Sequence, residues 1–344
     1  MSGPRRTRLR SYKAKIILMI ALLVVFGCIS LFVGRYSIDP GEVLRMMGTK
    51  LTGGEGDWSA AQEQAFFSVR LPRVIMAIAV GAGLSMAGAS FQTMFKNPLV
   101  SPDILGVSAS AGLGAAIGIM VSDAFLGLTG LLAFVFGLVG VACTYLLGRT
   151  RTASSTVNLV LAGIVVTALA NAGISLMKYL ADPLDKLPAI TFWLMGSLSS
   201  IRWVDVAFGL PIILVCGALL WYFGWRMNLL TMGDAEARSM GIRPERTRKF
   251  VIVCATLISA ACVCICGAVG WVGLVIPHIS RMIVGPDMRK LLPASFLLGG
   301  MFLLVVDDIT RAAMEASLPL SIVTAFVGAP FFAFLIKRSC GGWE

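Results

Sequence analysis

The chain contains 344 residues, of which 57% are hydrophobic and 14% charged, and its formal net charge is +11. Soluble domains carry about 25% charged residues, so this composition excludes an ordinary soluble enzyme and indicates a single-domain polytopic membrane protein. The basic residues occur in short clusters between apolar segments. That pattern is typical of cytoplasmic loops under the positive-inside rule and does not favour nucleic-acid binding.

Five apolar segments are predicted to cross the membrane in the first half of the chain, at about 16–33, 74–95, 104–121, 125–147 and 157–180. A basic stretch precedes the first segment and places the N-terminus in the cytoplasm. We interpret this segment as a membrane helix and not a signal peptide, because no small-x-small cleavage site follows it before Arg35. Residues 34–69 and 181–200 then lie outside, and each is expected to contain a short surface helix, the first around 40–47.

The second segment belongs to the stretch around which the chain is organised, residues 70–106. Arg70 and Arg73 precede an apolar helix rich in Gly, Ala and Ser, and the helix stops at Asn97 and Pro98. Small residues allow neighbouring membrane helices to approach closely. Non-helical backbone at membrane depth is tolerated only inside protein or beside a cavity. We therefore expect Asn97 and Pro98 to form a helix break near a transport path.

Five further segments are predicted in the second half, at about 204–225, 250–269, 276–284, 291–306 and 320–336. The short third one contains Pro277 and His278, where we expect a second helix break near the path. A lone histidine lacks co-ligands, so His278 is expected to be structural and not a metal ligand. Ten segments place both termini in the cytoplasm, and the basic clusters fall on that side.

Residues 87–106 align with residues 266–285 without a gap when the chain is shifted by 179 positions, with six identities in twenty, including Pro98 with Pro277. Five segments separate the copies, so the halves would be inverted in the membrane. Inverted repeats with interrupted helices recur in transporters. We interpret the chain as repeat halves at about 16–180 and 204–338; the alternative is a chance match in a sequence rich in Gly and Ala.

Motifs for catalysis are absent from the sequence, which contains no GxxxxGK[ST] loop, no HExxH and a single histidine. Its eight cysteines lie mostly in apolar segments, and no second pair or His cluster completes a metal site. We therefore expect neither a catalytic centre nor a bound metal. Asp307 and Asp308 are the only close acidic pair near a segment, at a predicted outer edge. An ion-driven secondary transporter, which usually needs intramembrane carboxylates, is the weaker alternative.

Five motifs resemble those of the FecCD-type permease subunits of ABC importers for iron–siderophore, haem and cobalamin complexes: RLPR (70–73), NPLVSPDILG (97–106), FWLMGSL (192–198), GLVIPHISR (273–281) and LPLSIVTAFVGAPFF (318–332). The resemblance extends from about residue 16 to 338. It implies an all-α type II ABC importer permease of about ten helices, which transports its substrate and performs no catalysis. Iron–siderophore is the expected substrate class because it is the commonest in the family.

The same resemblance implies the partners. A second permease copy would complete a homodimer, and two cytoplasmic ATPase subunits would use ATP and Mg. A solute-binding protein would deliver the substrate from outside. No cofactor and no nucleic acid are expected on this chain. Its expected location is the inner membrane of a prokaryote.

Arg70, Arg73 and Arg311, here called the outer arginines, match the family's arginines that receive acidic residues of the binding protein. Arg70 and Arg73 lie on the predicted outer side, against the positive-inside trend. The resemblance implies a docking role and two exposed cationic patches per dimer. The alternative is that these side chains anchor helix ends in the headgroup layer.

The polar stretch 226–249, here called the coupling loop, is the only large polar loop on the predicted inner side, and it matches the family's coupling segment. We expect residues 231–242 to form a short helix that inserts into a groove on the ATPase. Gly233 and Gly241 suit the ends of such a helix, and Ala237 would provide a small contact face. The alternative is a solvated connector without a partner.

Overall fold

The computed structural model describes residues 4–34, 39–52, 58–121, 126–149, 156–313 and 318–339, and within these ranges every regular element is helical. Seven helices in this described part are long and apolar enough to cross a membrane, and three shorter apolar helices accompany them. Together they correspond to the ten predicted segments. The prediction of an all-helical polytopic fold is confirmed.

The described part of the first half contains seven α-helices: α1 Pro4–Phe32, α2 Pro40–Thr52, α3 Ala60–Glu63, α4 Leu71–Met94, α5 Val107–Val121, α6 Leu126–Gly148 and α7 Thr156–Leu180. A π-helical turn, Gln64–Arg70, joins α3 to α4, and a short 3₁₀ turn, Pro102–Leu105, precedes α5. Helix α2 occupies the place of the surface helix expected around 40–47.

Among the residues described in the second half there are eight helices: α8 Lys186–Met195, α9 Trp203–Tyr222, α10 Gly224–Met232, α11 Asp234–Ser239, α12 Pro244–Cys266, α13 Val272–Val284, α14 Met288–Ala313 and α15 Leu320–Ser339. Helix α8 is the short helix expected between residues 181 and 200. Helix α12 begins six residues before the predicted segment, because Pro244 suits the first turn of a helix, where no N–H partner is needed.

Helix α4 lies at the centre of the helical bundle. The apolar stretch that includes it is 89% buried, whereas that of α1 is 11% buried. Helices α9, α12, α13 and α14 surround it. A helix that is apolar on all faces is expected in the interior of a bundle, and α4 confirms that the chain is organised around this stretch.

Glycines allow α4 to contact its neighbours backbone to backbone. A Cβ atom added to Gly81 would lie 2.2 Å from the carbonyl oxygen of Gly299 in α14, and one added to Gly299 would lie 2.4 Å from the carbonyl oxygen of Gly81. No side chain larger than hydrogen fits at either position. The small residues noted in the sequence therefore set the spacing of the central helices.

Helix α14 is longer than predicted. The sequence placed Asp307, Asp308 and Arg311 outside, after a segment ending near residue 306, but α14 continues to Ala313 and includes all three. Asp307 is fully buried. The helix continues because these charged side chains pair with one another and with α4, and so do not need water.

The predicted repeat corresponds to matching contacts but not to matching helix ends. The shift of 179 residues equates α4 with α12 and α5 with α14, and the structure packs α4 on α14 and α5 on α12. However, the same shift moves the end of α4 to residue 273, inside α13. The division into halves at about 16–180 and 204–338 stays a prediction.

Candidate functional site: helix breaks, outer arginines and coupling loop

The predicted helix break at Asn97 and Pro98 is present. Helix α4 ends at Met94, and Lys96 has a φ of 50°, in the left-handed region that terminates helices. The Asn97 N–H donates to the Gln92 carbonyl at 3.0 Å, and the Asn97 side-chain oxygen accepts from the Leu99 N–H at 2.9 Å. An asparagine that closes such a turn through its own side chain stabilises the break without other elements.

Asn97 and Pro98 line a cavity of about 560 Å³, here called the polar cavity, which also borders α10 and the connection from α13 to α14. Asn228 links these elements, since its side-chain nitrogen donates to Asp287 at 2.7 Å and its oxygen accepts from the Met288 N–H at 2.8 Å. The polar cavity thus joins the break after α4 to the start of the coupling loop. Sequence reasoning missed Asn228 and Asp287, which lie far apart in the chain and belong to no common motif.

The second break does not lie at Pro277 and His278, and that prediction is wrong. Both residues are inside α13, which runs without interruption from Val272 to Val284. The break lies earlier, after Cys266, where Gly267 has a φ of 73° and Trp271 a φ of 70°. His278 is half-buried within the helix. Its proximity to a transport path stays a prediction.

Pro277 acts on helix packing and does not end the helix. Proline has no N–H to donate to the carbonyl four residues earlier, which belongs to Gly273. That carbonyl lies directly against α4, because a Cβ added to Gly88 would be 1.8 Å from its oxygen. The Gly273 carbonyl, which lacks a helical partner, therefore faces Gly88, where α4 lies very close to α13. Cα–H···O contacts form in this geometry.

Arg73 and Arg311 converge on one buried carboxylate. The Arg73 guanidinium donates to both oxygens of Asp307 at distances of 2.8–3.1 Å. The Arg311 Nε lies 3.2 Å from the same carboxylate, and Arg311 also pairs with Asp308. The two guanidinium groups balance the charge of the buried carboxylate, which without them would carry a large desolvation cost.

Arg70 and Arg311 also bind the end of α1. Arg70 donates to the Leu31 carbonyl at 3.1 Å, and Arg311 donates to the Val33 carbonyl at 3.0 Å. The last carbonyls of a helix lack intrahelical partners and are stabilised by cations. Ser30 contributes its hydroxyl to Asp308 at 2.7 Å, so α1, α4 and α14 are connected by one polar network.

The three outer arginines are thus brought together, as expected, but they do not form the exposed cationic patch that was predicted. Arg70 and Arg73 are buried, and the side chain of Arg311 is almost fully covered. Their guanidinium groups bind carboxylates and carbonyls within the chain. Their role in docking a binding protein stays a prediction. Replacing all three with glutamate would change the fold as well as any docking.

In the coupling loop, the glycines lie where expected. Gly233 has a φ of 140° and Gly241 a φ of 80°, and they flank α11, the six-residue helix Asp234–Ser239. Positive φ is readily adopted by glycine alone among the common residues. The Ala237 N–H donates to the Gly233 carbonyl at 3.0 Å, and the Ala237 carbonyl accepts from the Ile242 N–H at 3.0 Å. A short helix with glycine ends is present, but it spans Asp234–Ser239 and not 231–242, because residues 231 and 232 belong to α10. Its insertion into a groove on an ATPase stays a prediction.

Ala237 does not provide an exposed contact face, and that prediction is wrong. Its relative exposure is 0%. Helix α11 packs between α10 and the start of α12, so one of its faces is covered by the chain itself. The outward positions of the loop include Met232, Glu236, Arg238 and Met240, all exposed.

An ion pair holds α11 against α12. The Arg248 guanidinium donates to the two carboxylate oxygens of Asp234 at 2.8 and 2.5 Å. This bidentate pair lowers the pKa of Asp234 below its ordinary value of 3.8. The coupling loop is consequently a folded element with a defined orientation.

No group of three or more His, Cys, Asp or Glu side chains in the described part of the chain is placed to hold a metal ion. Among these residues, cysteines 262, 264 and 266 are buried on α12. Their thiols contact backbone carbonyls of α4 and of α12 itself, as small core residues do.

Comparisons with known proteins give consistent matches over most of the chain. The profile of the FecCD transport family matches residues 22–338. The molybdate import system permease protein MolB of Haemophilus influenzae is 38% identical over 92% of this chain and 93% of its own. A probable iron chelatin transport system permease protein of Helicobacter pylori is 39% identical over 79% of this chain and 82% of its own.

A solved structure matches the fold closely. It is described as an inward-facing conformation of a metal-chelate type ABC transporter, and it superposes with a TM-score of 0.84 at 35% identity. The match covers 95% of this chain and 99% of the other.

Proposed function

The chain belongs to the FecCD transport family, and from that premise we propose that it imports a metal chelate of the iron–siderophore class together with separate ATPase and binding-protein subunits. It is a multi-pass membrane permease of an ABC importer with the type II fold, and its role is transport and not catalysis. The observation that carries this conclusion is the family match over residues 22–338.

The coupling loop supports a cytoplasmic ATPase partner. It is folded, held by the pair of Asp234 with Arg248, and exposes the apolar side chains of Met232 and Met240. Exposed methionines on an otherwise polar element are typical of adaptable protein-binding surfaces. We assign the outward side of the coupling loop around α11, and not Ala237, to this contact.

The complete importer would contain a second copy of this chain, two ATPase subunits and an external solute-binding protein. ATP and Mg would be used by the ATPase, and this chain would bind no cofactor of its own. The location would be the inner membrane of a prokaryote, with both termini in the cytoplasm. The clusters of basic residues on one predicted side support this orientation.

Molybdate is a second candidate substrate, favoured by the MolB relative, which is 38% identical over 92% of this chain. A metal chelate is larger than a tetrahedral oxyanion and less highly charged for its size. The broken helices and small residues around α4 are compatible with either substrate, because they carry few groups that would recognise one of them.

The substrate can be identified by uptake into proteoliposomes that contain the permease with an ATPase subunit that copurifies with it, supplied outside with a solute-binding protein that binds the complex. Radiolabelled ferric hydroxamate siderophore, cobalamin and molybdate would be compared, each with ATP inside and after a protonophore. We expect ATP-dependent uptake of the siderophore complex. Uptake of molybdate alone would replace the substrate assignment, and uptake that needs an ion gradient but no ATP would overturn the proposed assembly.

A further inference from the structure

A second cavity, here called the arginine cavity, lies where α10 meets the start of α12. Its volume is about 420 Å³, and its lining includes Arg226 of α10, Arg243 before α12 and Arg246 in the first turn of α12. Phe223 and Trp225 contribute aromatic walls, and no acidic side chain lines the cavity. Three cations thus converge on one concave surface.

These three arginines differ from their neighbours in the coupling loop. Arg248 pairs with Asp234, and Arg238 lies 3.7 Å from Glu245. Arg226, Arg243 and Arg246 make no ion pair with any residue that the structure describes. Asp234 and Glu245 are thus paired with other arginines, and no acidic side chain lines the arginine cavity, which keeps its positive charge.

Two further features increase the attraction of this surface for an anion. The Arg226 guanidinium lies 4.6 Å from the centre of the Phe223 ring and 5.7 Å from that of Trp225, which holds it at the cavity wall. The cavity also borders the first turn of α12, a 23-residue helix whose N-terminal end carries the positive pole of its dipole.

Aromatic residues place the arginine cavity at the depth of lipid headgroups. Trp221, Tyr222 and Trp225 are exposed at the point where the apolar helix α9 ends and the polar coupling loop begins. Trp and Tyr side chains are enriched at both membrane–water interfaces, at the level of the headgroups. The arginines beside them therefore face the headgroup layer.

We propose that the arginine cavity binds the phosphate of an anionic phospholipid headgroup from the leaflet on the coupling-loop side. Guanidinium groups match phosphate oxygens with two parallel hydrogen bonds, which favours arginine over lysine at such a site. Basic pockets at the ends of membrane helices bind such headgroups in the same manner. A bound lipid would stabilise the angle between α10 and α12, and so the position of the coupling loop.

The test uses the full chain, with any copurifying subunits, in mild detergent and native mass spectrometry with added phosphatidylglycerol, phosphatidylcholine or inorganic phosphate. We expect the wild type to retain phosphatidylglycerol. The triple variant R226Q/R243Q/R246Q should bind it roughly 100-fold more weakly, since each basic residue at an anionic membrane surface contributes about fivefold. The charge-matched control K13Q/R149Q/K337Q removes exposed cations outside the coupling loop and should change affinity by less than about threefold.

Equal phosphatidylglycerol binding by the wild type and the triple variant would overturn the proposal. If inorganic phosphate displaces phosphatidylglycerol at concentrations similar to those at which the lipid binds, the ligand is a soluble anion and the proposal is wrong. Loss of a copurifying ATPase without loss of lipid would assign the cavity to an acidic protein surface instead. If the glutamine variant aggregates, the lysine variant R226K/R243K/R246K is measured in its place. Its affinity for phosphatidylglycerol is expected to lie between that of the wild type and the roughly 100-fold weaker affinity expected for the glutamine variant.

Discussion

Arginines at the two ends of the bundle have opposite surroundings. The outer arginines Arg73 and Arg311 are buried and share the carboxylate of Asp307, whereas Arg226, Arg243 and Arg246 line an open cavity without an acidic partner. The two groups of arginines thus have different roles. One group ties helices together, and the other leaves positive charge accessible. A cluster of cations in a sequence therefore identifies a docking surface only when the fold leaves those cations without acidic partners.

The comparison assumes that the two groups lie on opposite sides of the membrane, and cysteine labelling tests this with an all-or-none result. In a background with Cys28, Cys143 and Cys340 replaced by serine, the variants Arg243→Cys and Asp185→Cys are treated with a membrane-impermeant maleimide. We expect labelling from outside at position 185 and not at 243. Labelling of 243 in intact cells would overturn the ten-segment topology. Asp57, which belongs to the stretch 34–69 predicted on the outer side, is not among the residues that the structure describes.

Removing the shared carboxylate should have the largest energetic effect. Asp307→Ala leaves the buried Arg73 guanidinium without its carboxylate and removes one of the two carboxylates that pair with Arg311, and breaking a buried ion pair costs about 3–5 kcal/mol. Glu245→Ala, which breaks the exposed pair with Arg238, should cost about 0–1 kcal/mol. Thermal unfolding of the purified permease compares the two variants. Similar losses of stability would mean that the outer network is not buried as described.

Two alanines on α11 distinguish its covered face from its outward face. Ala237→Trp inserts a large ring at a fully buried position and should destabilise the coupling loop by roughly 1–3 kcal/mol or more. Ala235 is exposed, so Ala235→Trp should leave the loop folded and weaken ATPase contact instead. Limited proteolysis of the loop reports folding, and copurification reports contact. If the Ala237→Trp variant resists the protease but no longer copurifies with the ATPase, Ala237 lies on the contact face after all.

The pair of Asp234 with Arg248 should give a small pH dependence in the same loop. Because the folded-state pKa of Asp234 lies below its ordinary value of 3.8, the stabilisation is fully present above that value. It is lost as the pH falls through the lowered pKa. The pair is partly exposed, so we expect about 0–1 kcal/mol. Amide hydrogen exchange in α11, measured as a function of pH, should show this loss of stability in the wild type and not in Asp234→Asn. Equal pH profiles for the two proteins would exclude the ion pair as the cause of the pH dependence.

Local patterns account for the sequence predictions that were confirmed. The ten apolar segments follow from hydropathy along the chain, and the break at Asn97 and Pro98 follows from residues that close a turn within three positions. Gly233 and Gly241 mark helix ends because positive φ is a property of a single residue. Each of these features depends on neighbours in the sequence, so the sequence determined it.

The tertiary structure alone decided the rest. Arg73 meets Asp307 across 234 positions, and nothing near either residue in the sequence predicts that pairing. The same holds for the burial of Ala237, which depends on where α10 and α12 pack. It also holds for Pro277, which leaves the Gly273 carbonyl without a helical partner at the point where that carbonyl meets Gly88 of α4. Whether a charged or small residue faces the interior, a cavity or the surface depends on contacts between distant segments. Composition and spacing describe one segment at a time, and so they do not contain that information.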